Sequence, residues 1–160
     1  MNIHPKILIT GAAGNLGGLL AGYLKDRNLN LLMHKKEVSA ELINLPNIQV
    51  FKADLAKKET LGAALGGVDV VVHFAGVLFK ANPEKFLPIT NTCYFRNLLD
   101  VAIEKRVKRI ILISFPHVEG ETTPENPARG TLEGHPISAH ATTRLEEERE
   151  LFRRCKETGI

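Results

Sequence analysis

Short runs of β-branched and aliphatic residues recur at Ile7 to Ile9, Leu29 to Met33, Ile48 to Phe51, Val68 to Phe74 and Ile110 to Ile113, most of them separated by stretches of helical character. Strand and helix in alternation predict βαβ units and a parallel sheet of about five strands. Val70 to Val72 and Ile110 to Ile113 are continuous in hydrophobicity rather than alternating, as strands buried on both faces require, so both are expected at the centre of the sheet. A first helix is predicted from about Leu16 to Lys25, with Leu16, Leu20 and Leu24 forming the stripe that packs on the sheet. A longer one, from about Thr90 to Lys105, places Cys93, Leu98 and Ala102 along one side and ends on Lys105 and Arg106, as a helix C-terminus prefers. The last, Ala139 to Thr158, has Leu145, Phe152 and Cys155 on its packing side and the Glu146 to Arg154 charges mostly outward, with Glu150 and Arg154 as an i,i+4 pair.

Between Glu119 and Pro136 lie three of the eight prolines and three glycines, with few large apolar residues, so this stretch is a surface loop after the fifth strand. Gly159 reads as a helix C-cap and Ile160 as the first residue of another strand, so the chain ends as a truncated fold would. At 160 residues with no internal repeat or linker, residues 1–160 are expected to form one domain.

Composition changes this picture little. Hydrophobic residues at 44%, charged residues at 24% and a mean hydropathy of -0.05 exclude a disordered or fibrous chain. The net charge of +3 comes from scattered basic residues, so no nucleic-acid partner is expected. Cys93 and Cys155 lie far apart without CxxC spacing, which excludes a disulfide framework and fits a reducing compartment. Without an apolar signal core or a run of about 18 apolar residues, neither export nor membrane spanning is expected and the chain reads as cytoplasmic.

The strongest chemical signal is Thr10-Gly11-Ala12-Ala13-Gly14-Asn15-Leu16-Gly17, a GxxGxxG pattern that follows the first strand and opens the first helix. Glycines there let backbone N–H groups approach a pyrophosphate at the positive end of a helix, and Gly17 permits close contact between helix and strand. The alternative is a tight βα turn that binds nothing, with Asn15 as a local hydrogen-bonding residue. After the second strand, an acidic residue would favour the ribose hydroxyls of NAD. The chain instead reads Met33-His34-Lys35-Lys36, which suits a 2′-phosphate and hence NADP, unless the lysines merely open a solvated segment.

With these pieces the chain resembles the extended short-chain dehydrogenase/reductase family, the NAD-dependent epimerase/dehydratase group, over essentially all 160 residues. The resemblance implies a three-layer Rossmann-like α/β domain that lacks the family's C-terminal substrate region. Ala53-Asp54-Leu55 looks like the family's acidic turn after the third strand, which implies adenine contact by Asp54 beside Leu55. Asp69 to Gly76 looks like its fourth strand, which implies that Ala75 and Gly76 pass close to the cofactor ribose. Asn91 to Asn97 resembles its helix opening NxxGTxN, with Tyr94 and Phe95 in place of Gly and Thr. The cofactor-binding set implied is Gly11, Ala13, Gly14, Asn15, Leu16, Gly17, His34, Lys35, Asp54, Leu55, Ala75, Gly76, Asn91 and Arg144.

The family's catalytic pair is a Tyr followed four residues later by Lys, with a Ser or Thr at the end of the fifth strand. Tyr23 and Tyr94 have no Lys at that spacing, and the expected place reads His140-Ala141-Thr142-Thr143-Arg144. Two readings stay open: an altered acid/base pair, or a non-catalytic dinucleotide-binding or interaction module. His140 suits proton exchange near neutral pH, and an adjacent Arg144 favours the neutral imidazole that acts as a base. Ser114 is a substrate-contact candidate, although counting back from Gly120 the family's hydroxyl falls nearer Phe115, beside Pro116. His73, between valines and Phe74, is expected to be a packed strand histidine. His117, His135 and His140 lack metal-ligand spacing, so no metal is expected. Leu145 to Glu150 reads as a solvated helical face. The substrate is a small molecule that the chain does not identify, and the resemblance further implies a homodimer in which the two long helices pair with their mates.

Overall fold

The computed structural model describes residues 4–77 and 81–160. They fall into two compact units, one of residues 4–75, 97–113 and 160, the other of residues 76–77, 81–96 and 114–159.

The first unit is built on five strands: β1 (Ile7–Thr10), β2 (Leu29–Met33), β3 (Ile48–Lys52), β4 (Val70–His73) and β5 (Arg109–Leu112). All neighbours run parallel in the order β3-β2-β1-β4-β5. The chain therefore travels outward from β1 to β3, returns, and resumes at β4 on the other side of β1. The reversal makes the C-terminal ends of β1 and β4 the switch point where open α/β sheets take ligands. Helices α1 (Asn15–Tyr23) and α2 (Ala40–Ile43) follow β1 and β2. Their buried residues Ala21 and Leu42 join Ile9, Leu29, Leu31, Val38 and Ile48 in the core on one face. By the right-handed rule for parallel crossovers, the strand order sends the β3–β4 and β4–β5 connections over the other face, and in these connections Leu61, Ala64, Leu65, Leu98 and Ala102 are fully buried. The result is a three-layer Rossmann-like domain.

Val70 to Val72 are central as expected, since β4 lies between β1 and β5. The same expectation fails for Ile110 to Ile113. β5 ends the sheet among the described residues, and Ile111 is 42% exposed. The leucine stripe predicted for the first helix holds at Leu20 and Leu24, which pack against the core, and fails at Leu16. Leu16 is 61% exposed, and the residues facing the sheet are Gly17 and Ala21. A methyl group at Gly17 would lie 2.8 Å from the Gly11 carbonyl carbon. The helix approaches the strand too closely for leucine at those positions, and Leu20 and Leu24 pack beside the contact instead.

The predicted helix from Thr90 begins earlier and is interrupted. α3 (Pro83–Leu87) is followed by a π-helical stretch, Pro88–Cys93, and by α4 (Tyr94–Glu104), which passes from the second unit into the first. Such a stretch shifts the helical face by one residue, and Cys93 turns out exposed rather than packed, while Leu98 and Ala102 are buried.

Helix α5 (Ala139–Thr158) dominates the second unit. The Ser138 hydroxyl caps it by accepting from the Ala141 N–H at 3.2 Å. Gly159, with φ +76°, closes it through an N–H donated to the Cys155 carbonyl at 2.9 Å. Its packing side differs from expectation in two places: Phe152 is 53% exposed, while Glu147, assigned to a solvated face, is 0% exposed. The partner that allows a carboxylate inside is Arg144, one turn earlier. Residues 120–137 form the expected loop, apart from one bridge between Thr123 and Asn126. Among the described residues no helix is long and apolar enough to cross a membrane.

Candidate functional site

In the first unit the glycine turn leaves β1 with Gly11 at φ +69°, a conformation that side chains resist. A methyl group there would also lie 2.9 Å from the Ala75 nitrogen at the end of β4. The Gly14 N–H donates to the Gly11 carbonyl at 2.8 Å, closing the turn. Gly14 then stands at the N-cap of α1 without a side chain to satisfy the first helical N–H groups, and the first turn has no acidic residue. Ala13 is partly exposed and Gly14, Asn15 and Leu16 are exposed, so the positive end of the helix opens to solvent.

Beyond β2 and β3, His34 Nε2 stands 3.7 Å from Asp54 Oδ2. The Asp54 carboxylate is oriented by the Ala56 N–H at 2.9 Å, and its own N–H donates to Thr60 Oγ1 at 3.0 Å. The Leu55 carbonyl accepts from Asn97 Nδ2 at 2.9 Å, fixing the adjoining turn. Lys35 and Lys36 are both exposed. His73 is a packed strand histidine as expected: it is buried, and its Nδ1 shares a hydrogen bond of 2.7 Å with Thr10 Oγ1.

The second unit holds Gly76, Asn91, Ser114, His140 and Arg144. Asn91, buried in the π-helical stretch, accepts from the Val77 N–H at 3.0 Å and donates to Thr143 Oγ1 at 3.3 Å. The Thr143 hydroxyl donates to the His140 carbonyl at 3.0 Å. One chain of bonds, buried at its Asn91–Thr143 link, thus ties the segment after β4 to the first turns of α5. His140 is partly buried, and its Nε2 has no hydrogen-bond partner. Burial, and then the Arg144 charge, hold its pKa below the usual histidine value. Arg144 is 5% exposed and donates from Nη1 to Glu147 Oε2 at 2.6 Å.

Ser114 is exposed and lies beyond the end of β5. The residue that meets His140 is Phe115, its ring edge-on with a centroid separation of 4.5 Å. Residue-type reasoning missed Glu147 because it sits in a run of charges. The available signal was its position three residues after Arg144 and four before the buried Leu151.

Residues 11–151 match the model of a family described as NAD(P)H-binding. The chain belongs to that family. It is 34% identical over 115 residues to uronate dehydrogenase of Pseudomonas putida, covering 72% of this chain and 42% of that protein. It is 27% identical over 129 residues to the NAD-dependent glucose-6-phosphate dehydrogenase of Haloferax volcanii, covering 78% of this chain and 49% of that protein. The chain spans about half the length, or less, of these curated relatives. Among solved structures, UDP-N-acetylglucosamine 4-epimerase from Methanobrevibacter ruminantium superposes with a TM-score of 0.85 at 22% identity, over 98% of this chain and 52% of that one. A variant of uronate dehydrogenase from Agrobacterium tumefaciens, solved with NAD, gives 0.77 at 24% identity, over 98% and 58%. The chain is thus an NAD(P)-binding Rossmann domain related to dehydrogenases, dehydratases and epimerases.

Proposed function

We propose that this chain binds a nicotinamide dinucleotide, NADP in preference to NAD, and serves oxidoreductase- or epimerase-type chemistry on a small molecule of the sugar class. The observation that carries the reading is the open head of α1: an uncapped helix N-terminus without acidic residues, flanked by Gly11 and Gly17, whose places leave no room for a methyl group. A pyrophosphate fits that cradle. Lys35 and Lys36, exposed beyond β2, supply cations for a 2′-phosphate where an acidic residue would favour NAD. Asp54 takes the adenine side, with His34 and Leu55 beside it, and Ala75 and Gly76 the ribose. The printed names of relatives, uronate dehydrogenase and UDP-glucose 4-epimerase, support the sugar class.

When bound, the nicotinamide would accept or return a hydride. His140 handles the proton. Its Nε2 is buried without a partner, so a substrate hydroxyl would complete its hydrogen bonding. Its depressed pKa keeps the imidazole neutral near neutral pH, in the form that accepts a proton. In an oxidation the hydroxyl proton passes to Nε2 as the substrate C–H bond loses its hydride, leaving a carbonyl; reduction reverses both transfers. Arg144 stands in for the family's Lys on the ribose side, and Ser114 contacts substrate.

Calorimetric titration of the folded chain tests the cofactor reading. NADP is expected to bind about tenfold or more tighter than NAD, a difference of about 1.4 kcal/mol. Equal affinities would remove the Lys35/Lys36 argument, and binding of neither would remove the reading. A second reading, a module that binds dinucleotide without catalysis, is favoured by the engagement of Arg144 with Glu147. Cofactor-dependent turnover that is lost in His140→Phe, with NADP affinity retained, would exclude it.

A further inference from the structure

Glu147 has no part in the chemistry above, yet it is fully buried. Its Oε2 accepts from Arg144 Nη1 at 2.6 Å, while Oε1 has no partner. Burying a carboxylate is costly unless a counter-charge and hydrogen bonds offset the loss of water. Here the counter-charge is a guanidinium that is itself 5% exposed. The other side of that guanidinium lies against the main chain of Gly76, where a methyl group would fall 3.0 Å from Cζ. Nη1 thus engages the Glu147 carboxylate while Nη2 is the atom nearest the Gly76 main chain. The bonds from Val77 through Asn91 and Thr143 to the His140 carbonyl tie the residue after Gly76 to the first turn of α5.

We propose that Glu147 is a positioning residue whose buried carboxylate pins the Arg144 guanidinium against Gly76 and cancels its charge, so that this end of the site takes the neutral hydroxyls of a ribose and discriminates against a second anionic group. The ribose clause rests on the reading of Arg144 given above. Arginine is a long side chain with many rotamers, and a buried counter-ion removes that freedom. A compensated guanidinium offers N–H donors without net charge, which suits a diol. An uncompensated one draws phosphate or carboxylate.

The first arm of the test needs no cofactor. In the 15N-labelled full chain, the pinned guanidinium is expected to give an Nη–H signal protected from exchange, lost in Glu147→Gln and in Arg144→Lys. Absence of that signal from the wild-type chain would overturn the pinning.

The second arm is run at about pH 8, where the Glu147 carboxylate is ionised, and uses NADH, read by its own fluorescence, and inorganic phosphate. Glu147→Gln is expected to weaken NADH binding by about tenfold, the scale of one charge-assisted hydrogen bond. Inorganic phosphate binding should strengthen in the same variant, and Glu147→Asp should restore part of the NADH affinity. A folded Glu147→Gln chain with wild-type affinities for both probes would overturn the proposal. If that variant does not fold, the double variant Arg144→Met/Glu147→Met removes both charges at similar volume. NADH binding weakened to the same degree there supports the proposal, and wild-type binding overturns it. A wild-type chain that shows the Arg144 signal but binds neither NADH nor NADPH would sink the cofactor reading and the ribose clause while leaving the pinning intact.

Discussion

Thr10 and His73, at the C-terminal ends of adjacent strands β1 and β4, are joined by a hydrogen bond of 2.7 Å between Oγ1 and Nδ1, and both are buried. The same hydroxyl accepts the Ala75 N–H at 3.3 Å. One side chain thereby fixes the segment against which the glycine turn rests, since Gly11 approaches the Phe74–Ala75 main chain within contact distance. Thr10→Val keeps the shape and leaves a buried imidazole nitrogen and an amide without their partner. The expected loss is about 1–3 kcal/mol, read as a lower urea midpoint with an unchanged slope. A loss below about 0.5 kcal/mol would mean that water or a neighbour replaces the hydroxyl.

Glu147 makes stability depend on pH in an unusual direction. Burial pushes its pKa up to about 7, outweighing the lowering by Arg144, and the nearby Glu146 and Glu148 charges add to the rise. Between the ordinary carboxylate value and about 7, the folded chain holds a proton that the unfolded chain has released. Stability from this group therefore falls as pH rises through that window and levels off above it, by an amount on the order of 3 kcal/mol. His140, held below the ordinary histidine value, contributes with the opposite sign. The difference between wild type and Glu147→Gln isolates the carboxylate. Melting temperatures from about pH 5 to about pH 8 should converge or cross as the wild-type advantage at low pH is lost. Parallel curves would show that Glu147 ionises normally in the folded chain.

Glu119 laces the loop that follows β5. Its carboxylate accepts the N–H groups of Arg129 at 2.9 Å, Gly130 at 2.5 Å and Thr131 at 3.2 Å. These bonds, that from Arg129 foremost, hold its pKa below the usual glutamate value. The lacing is therefore complete above the ordinary value and is lost as pH falls through the depressed one. Glu119→Ala should speed amide exchange at Arg129, Gly130 and Thr131 and expose the 120–137 loop to protease, with little change in exchange of the β1–β4 ladder. Unchanged exchange at those three amides would mean that the prolines alone hold the loop.

Strand positions, sheet direction and the tight glycine turn between β1 and α1 were legible in the sequence because each depends on local pattern: continuous valines for β4, glycine spacing for the turn, Gly159 for the end of α5. What was not legible depends on distance between elements. Leu16 reads as a packing residue until helix and strand come so close that only Gly17 and Ala21 fit between them. Ile111 reads as central because residue type does not tell how many strands lie beyond β5. Cys93 was misplaced by the π-helical stretch, which leaves no mark on hydrophobic period. Glu147 hides among five charged neighbours, and its burial follows from one interaction with Arg144 rather than from its own type. Ser114 matches the family by type, whereas the ring that meets His140 belongs to Phe115, the position reached by counting from Gly120.

Two glycines of α1 separate the binding role of the turn from the ordinary cost of glycine in a helix. At Gly17 an added methyl group would stand 2.8 Å from the Gly11 carbonyl carbon and 3.1 Å from the Ala12 nitrogen, both main-chain atoms that cannot move without opening the turn. At Gly22, in the last turn of the same helix, it would meet nothing within 4 Å. Gly22→Ala should therefore stabilise the chain by up to about 1 kcal/mol, through helix propensity and a less flexible unfolded state. Its NADP affinity should be unchanged. Gly17→Ala carries the same intrinsic gain but must displace the main chain of the turn, where the proposed function places the pyrophosphate. The expected result is a loss of NADP binding of tenfold or more, on the order of 1.4 kcal/mol, together with a lower melting temperature. If both variants bind NADP as the wild type does, the turn is packing rather than a phosphate cradle. If both lose binding, α1 itself rather than its first turn makes the contact.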